Sequence, residues 1–293
     1  MFARLLGPLE IELEGSPVPL GGRAPRALLA RLLLDANRAV AVGRLVEDLW
    51  GEDAPASAVK MIQIHVSALR KVLPEGTLVT RSRGYALEIE PDAVDLVRFE
   101  ALGREGQEAL AAGSHKLAAD RLREAAALWR GPALGEFDEP FAAIESARLD
   151  ELRVASIEDR IEAELALGLH AGLVGELDAL VARHPLRERL RGQLMLALYR
   201  SGRQAEALDG YRRLRAMLTD ELGIEPSPAL RALERRMLQQ DPRLELAPAR
   251  TPAAPIPRPS APAGRPAAGS LRLCRTRAWS PLRRGCPVGL RAR

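Results

Sequence analysis

Along residues 2–20 apolar and polar positions alternate, most clearly in LEIELE at 9–14, with turn punctuation at Gly7-Pro8 and Gly15-Ser16-Pro17. That pattern predicts short antiparallel strands. From Arg26 the period changes, and Leu28, Leu29, Leu32 and Leu33 recur at helical spacing up to an expected end near Asn37. GRLVEDLW at 43–50 gathers Leu45, Val46, Leu49 and Trp50 on one side of a second short helix, which Gly51 stops. After the loop EDAPAS a third helix is predicted over 57–73, with Ser57 as its N-cap and Pro74 ending it. On that helix Val59, Ile62, Val66, Leu69 and Leu73 fall on one face, enough to hold it to a core. TLVTRSRGYALEI at 77–89 reads as two strands joined by a Ser-Arg-Gly turn. Strands, three short helices and a closing hairpin follow the order of a winged helix-turn-helix domain.

Beyond about Asp95 the pattern is helical to Gln240, and it repeats. Gly168, Leu173, Leu177, Leu180 and Pro185 sit at offsets matched by Gly202, Ala207, Tyr211, Leu214 and Thr219. A period of about 34 residues is that of tetratricopeptide helix pairs. An earlier copy begins at Gly113 with Ala118, Leu122 and Ala125 in phase, and RGPALGEFDEPFAAIESARLDELR lengthens its gap to the next. The expected fold is therefore mainly α: a winged helix with small strands over 1–94, an all-α tetratricopeptide-like domain over 95–241, and a tail over 242–293. That tail holds ten of the chain's 22 prolines, a composition that cannot bury a core, so it is expected to be disordered.

Charge changes the picture by its distribution. The net +4 conceals a tail with eleven Arg against one acid, Glu245, so the first 241 residues carry about −6. A global argument from basicity to nucleic acid fails, and any such case must be local. Apolar residues make up 47% and aromatics only 3%, so the cores must be built mainly from Leu, Ala and Val. Both cysteines, Cys274 and Cys286, fall in the tail, which leaves no disulfide framework or zinc spacing. Acids by position 10 argue against a signal peptide, and no apolar run is long enough to span a membrane. A cytoplasmic protein is expected. No phosphate loop, dinucleotide fingerprint, HExxH or GxSxG is present, so no catalytic residue, cofactor or metal is assigned.

The local case rests on the third helix. Opposite its apolar face lie Ser57, Lys60, Ile64, Ser67 and Lys71, flanked by Gln63 and Arg70, with His65 at the border. Lys and Arg suit phosphates or guanine, Gln suits adenine, and an exposed Ile suits a thymine methyl. Arg81 and Arg83 are expected at the tip of the hairpin, where a wing reaches the minor groove or backbone. From Lys60 to Arg83 there are five basic residues and one acid, Glu75, a basic patch in an otherwise acidic region. An ordinary solvated face stays open as an alternative. A second reading also stays open: a tetratricopeptide-type interaction scaffold whose winged helix no longer binds DNA, which the acidity of residues 1–241 favours.

LLGPLEIELEG, RAPRALLARLLLDANRAVAVGRLVEDLWGEDAPASA, IQIHVSALRKVL, TRSRGYALEI and DLVRFEAL, followed by ALWRGPAL, LYRSGRQAEALDGYRRLR and LTDELGIEPSPALRALERRML, carry a resemblance to a known family. Over residues 2–240 the chain resembles the Streptomyces antibiotic regulatory protein family, in which an OmpR-type winged helix precedes a bacterial transcriptional activation domain. The resemblance implies a sequence-specific activator that binds direct repeats in double-stranded promoter DNA, as a homodimer, and helps RNA polymerase holoenzyme transcribe secondary-metabolite genes. It places Lys60, Ile64, Ser67 and Lys71 toward the groove, Arg81 and Arg83 on the wing, and Tyr85 under the wing's base. Ser67 and Ala68 stand where OmpR-type relatives often carry Arg, which implies a different preferred sequence.

Overall fold

In the computed structural model, which describes residues 1–246, three strands open the chain: β1 (Phe2–Arg4), β2 (Glu10–Leu13) and β3 (Ser16–Pro17). They pair antiparallel in the order β1-β2-β3, with Ala3 opposite Ile11, both fully buried. The alternation read from LEIELE is this pleat. Helix α1 runs Arg23–Leu34, three residues earlier at each end than expected. It ends early because Asn37 lies in the turn that follows and is tied to the end of the closing hairpin rather than to the helix. Its backbone is left-handed (φ 66°), its amide donates to the Leu87 carbonyl, and its side chain both donates to and accepts from the Ile89 backbone. Asn tolerates that conformation better than most residues.

A short strand, β4 (Val40–Ala41), leads into α2 (Val42–Trp50) and then α3 (Ala58–Arg70). The hairpin β5 (Leu78–Arg81) and β6 (Gly84–Leu87) adds to β4 in the order β4-β6-β5. The sequence pattern predicts no strand at β4, since two residues between helices give no alternation to read. Gly84 is required where β6 crosses it: a Cβ there would stand 1.9 Å from the Val40 carbonyl oxygen.

Seven further helices follow among the described residues: α4 (Asp95–Ala111), α5 (His115–Ala127), α6 (Pro140–Ala166), α7 (His170–Arg183), α8 (Glu188–Arg200), α9 (Gln204–Leu222) and α10 (Pro228–Leu238). The repeat appears as three helical hairpins, α4–α5, α6–α7 and α8–α9. Gly113, Gly168 and Gly202 occupy the same place in each, with φ of 71°, 85° and 76°. After each glycine the next amide reaches back five residues, from Ser114 to Ala109, Leu169 to Glu164 and Arg203 to Leu198, at 2.8, 3.0 and 2.9 Å. This closure satisfies carbonyls that a helix end leaves free, and it needs a left-handed residue. The in-phase positions Ala118, Leu122 and Ala125, Leu173, Leu177 and Leu180, and Ala207, Tyr211 and Leu214 are all buried. A Cβ on Gly202 would meet open space, so Gly202→Ala isolates the backbone strain. It is expected to lower stability by about 1 kcal/mol in urea titration, with no change in helix content.

The insertion between α5 and α6 fastens the two halves. Trp129, Ala133, Leu134 and Phe137 are buried in the same core as Leu28, Leu32, Ile62, Leu69 and Leu87. The Arg130 amide donates to the Leu6 carbonyl at 2.7 Å, Glu136 accepts from the Leu9 amide at 2.6 Å, and Arg26 pairs with Glu136 at 2.6 Å. This first core therefore continues through Phe99 and Phe141 to Leu149, while a second, from Val154 to Leu244, fills the later hairpins. The tail expected from residue 242 begins with a packed 3-10 turn, Pro242–Leu244, whose Leu244 is buried and whose carbonyl accepts from Arg200. The rest of that expected tail, with Cys274 and Cys286, lies outside the described residues. Among the described residues no helix is long and apolar enough to cross a membrane.

Candidate nucleic-acid interface

Helix α3 lies across α1 and α2, and the buried stripe that holds it is Ala58, Ile62, Val66 and Leu69. Val59, expected on that stripe, is instead 49% exposed. Ala58 takes the inward position one residue earlier, at i−4 from Ile62, and turns Val59 about 100° away. The helix also ends three residues before 73. Lys71 and Val72 form a turn closed onto Ala68 and Leu69, since a residue preceding proline avoids helical backbone. Ser57 is the N-cap residue, but its hydroxyl makes no cap bond.

The support under α3 is polar as well as apolar. Asp48 of α2, buried, accepts from Arg31 of α1 at 2.5 Å and from Arg44 at 2.9 Å. Arg31 also reaches Asp35 at 2.7 Å. The bridge ties α1 to α2, the two helices on which α3 packs. On its outward side α3 exposes Lys60, Gln63, Ile64, Ser67, Ala68 and Arg70, with Lys71 exposed just after its end and Ile64 55% exposed. An isoleucine so exposed between two lysines forms no part of any core.

The ten residues singled out from the sequence divide into two groups. Ser57, Lys60, Gln63, Ile64, Ser67, Lys71 and Arg83 are exposed, and among the described residues Lys60, Lys71 and Arg83 form no salt bridge. The other three are engaged elsewhere. Arg70 bends toward the hairpin, donating to the Leu78 carbonyl at 2.9 Å and to the Thr80 hydroxyl at 2.8 Å. Arg81 is the last residue of β5 and pairs with Glu88, so it is not at the tip. The turn consists of Ser82 and Arg83 alone, because Gly84 is already in β6. His65 is half-buried, its Nε2 is buried without a hydrogen-bond partner, and burial pushes its pKa down. An imidazole turned inward in this way suits packing better than a contact with DNA.

Two exposed apolar residues on this face, Val59 and Ala68, are not among those ten. The signal for Val59 is the choice between two adjacent small residues for the inward position, which a wheel drawn from Ser57 does not decide. The tip residue Arg83 is anchored through its backbone: its carbonyl accepts from the Val42 amide at 3.1 Å, at the start of α2. Tyr85, buried between the positions of Val40 and Thr80, fills the base of the hairpin as expected.

A helix presented beside an anchored wing, and fastened to an array of helical hairpins, defines a winged-helix regulator with a repeat domain. Residues 15–87 match the family model for the C-terminal domain of transcriptional regulatory proteins, and residues 94–238 match that of the bacterial transcriptional activator domain. Regulatory protein AfsR of Streptomyces coelicolor is 46% identical over 82% of this chain, which spans only 24% of that longer protein. Regulatory protein DnrI of Streptomyces peucetius is 39% identical, over 86% of this chain and 97% of its own length. The solved structure of Mycobacterium tuberculosis EmbR, in complex with a low-affinity phosphopeptide, is 41% identical and superposes with a TM-score of 0.78, covering 82% of this chain and 65% of that one. The chain belongs to the Streptomyces antibiotic regulatory protein family of transcriptional regulators.

Proposed function

We propose that residues 1–94 read double-stranded promoter DNA through the outward face of α3 and the Arg83 wing tip, and that residues 95–241 form the activation domain that engages RNA polymerase holoenzyme. The protein works in the cytoplasm, binds direct repeats as a homodimer, and turns on secondary-metabolite biosynthesis genes. The observation that supports this reading best is the pairing pattern. In a region laced with Arg–carboxylate bridges, Lys60, Lys71 and Arg83 are left exposed without such partners among the described residues. Cations left free on one side of a helix and on the adjacent wing are placed for phosphates and base edges.

A mobility-shift titration on the gene's own upstream region tests the assignment. It should be run over a salt series, with the full chain and with a chain ending at Leu246 so that the tail's charge does not contribute. The expected result is a discrete complex for both chains, with log affinity falling linearly as log salt rises, roughly one unit of slope for each phosphate engaged. Loss of the complex in the shortened chain would move the binding to the tail and sink the reading.

A further inference from the structure

A cavity of about 370 Å³ opens where α4, α5, the insertion, α6 and α7 meet. Its apolar side is Phe99, Trp129 and Ile157, with the Phe99 and Trp129 rings edge to face at 5.4 Å. Its polar side carries Arg123, Arg153 and Arg160. Two of these guanidiniums are neutralised: Arg123 and Arg160 share Glu164 at 2.7 and 2.9 Å, and Arg160 also pairs with Glu176, the carboxylate that lines the cavity. Arg153 is different. It forms no salt bridge among the described residues, and its guanidinium carbon lies 4.7 Å from the centre of the Trp129 ring. Stacking holds the planar fork in place while its donors stay free, and such a fork matches a carboxylate through two parallel hydrogen bonds. The volume falls in the range of small-molecule pockets, and the wall divides into an aromatic and aliphatic side and a charged side.

We propose that this cavity binds a small organic carboxylate carrying a planar ring system, with the ring against Trp129 and Ile157 and the carboxylate on Arg153. The position gives such a ligand leverage over the fold. Leu149 of α6 belongs to the core shared with the winged helix and Val154 to the core of the later hairpins, so Arg153, Ile157 and Arg160 project from the stretch where one core gives way to the other.

Isothermal titration of the full chain with 2-naphthoate as the probe, beside its neutral counterpart 2-naphthamide, tests the proposal. One saturable site for 2-naphthoate is expected, with the melting temperature rising as it fills. The amide should bind roughly tenfold or more weakly, as should 2-naphthoate to Arg153→Gln, because each change removes a charge-assisted hydrogen bond. Ala126→Phe, which fills the space and leaves Arg153 in place, should abolish binding. Absence of saturation into the millimolar range, or equal affinity for acid and amide on the wild-type chain, overturns the proposal without reliance on any variant.

Discussion

Asp95→Ala is expected to be among the most damaging single substitutions in the chain, lowering the unfolding free energy by roughly 2–6 kcal/mol for two buried amides left without an acceptor. Asp95 is the first residue of α4 and is buried. Its carboxylate accepts from the Leu5 amide at 2.7 Å and from the Leu6 amide at 3.0 Å, where β1 leaves the sheet. This side chain ties the N-terminal sheet to the first helix of the repeat domain, beside the backbone bridge between Ala3 and Val94, and its loss leaves two buried amides without that acceptor. Burial pushes the Asp95 carboxyl above its ordinary value, against the pull of those amides. With the native pKa raised, the linked stability is fully present below the ordinary carboxylate range and is lost as pH rises through the native value. Urea titrations of wild type and variant at acid and neutral pH should therefore show the gap between them narrowing toward neutrality. A gap that widens with pH, or a variant as stable as wild type, contradicts this role.

The chain states its repeats openly and its junction hardly at all. Gly113, Gly168 and Gly202 align in sequence because a left-handed helix closure needs a residue without a Cβ, and the small and large residues in phase with them repeat the same packing problem. Leu28, Leu32, Ile62 and Leu69 are legible because period 3.6 marks a face. The Asp95 clasp and the Arg26–Glu136 pair are not, because they join residues about 90 and 110 positions apart and no local pattern encodes them. Position on the hairpin is hidden in a similar way. Arg81 and Arg83 are equivalent in composition, but Glu88 stands beside one and not the other, a fact set by strand register. The wheel puts His65 at the border of the two faces, and the structure finds it half-buried there; what angle alone does not give is that its Nε2 is turned inward. What survives of the sequence reading is the identity of the outward face; what the structure adds is which of its cations are free.

That distinction fixes the order of effects in the DNA-binding surface. Combining Lys60→Ala with Arg83→Ala is expected to weaken binding to a cognate promoter by roughly 2–6 kcal/mol, at about 1–3 kcal/mol for each interaction with DNA removed. The two residues sit on separate elements, helix and wing, so their losses should add. Neither side chain touches a carboxylate among the described residues and both are exposed, so the melting temperature should not move. Arg81→Ala is the internal comparison. Its guanidinium is already held by Glu88, and to serve DNA it would first have to leave that partner, so it should cost less than either single substitution at Lys60 or Arg83. Salt dependence separates the two kinds of interaction: a residue on phosphate lowers the slope of log affinity against log salt by about 1 when removed, whereas a residue on a base edge relaxes sequence preference instead. If Arg81→Ala proved as costly as the double variant, the wing would approach DNA through its strand rather than its tip, and the outward face of α3 would need a different orientation on the duplex.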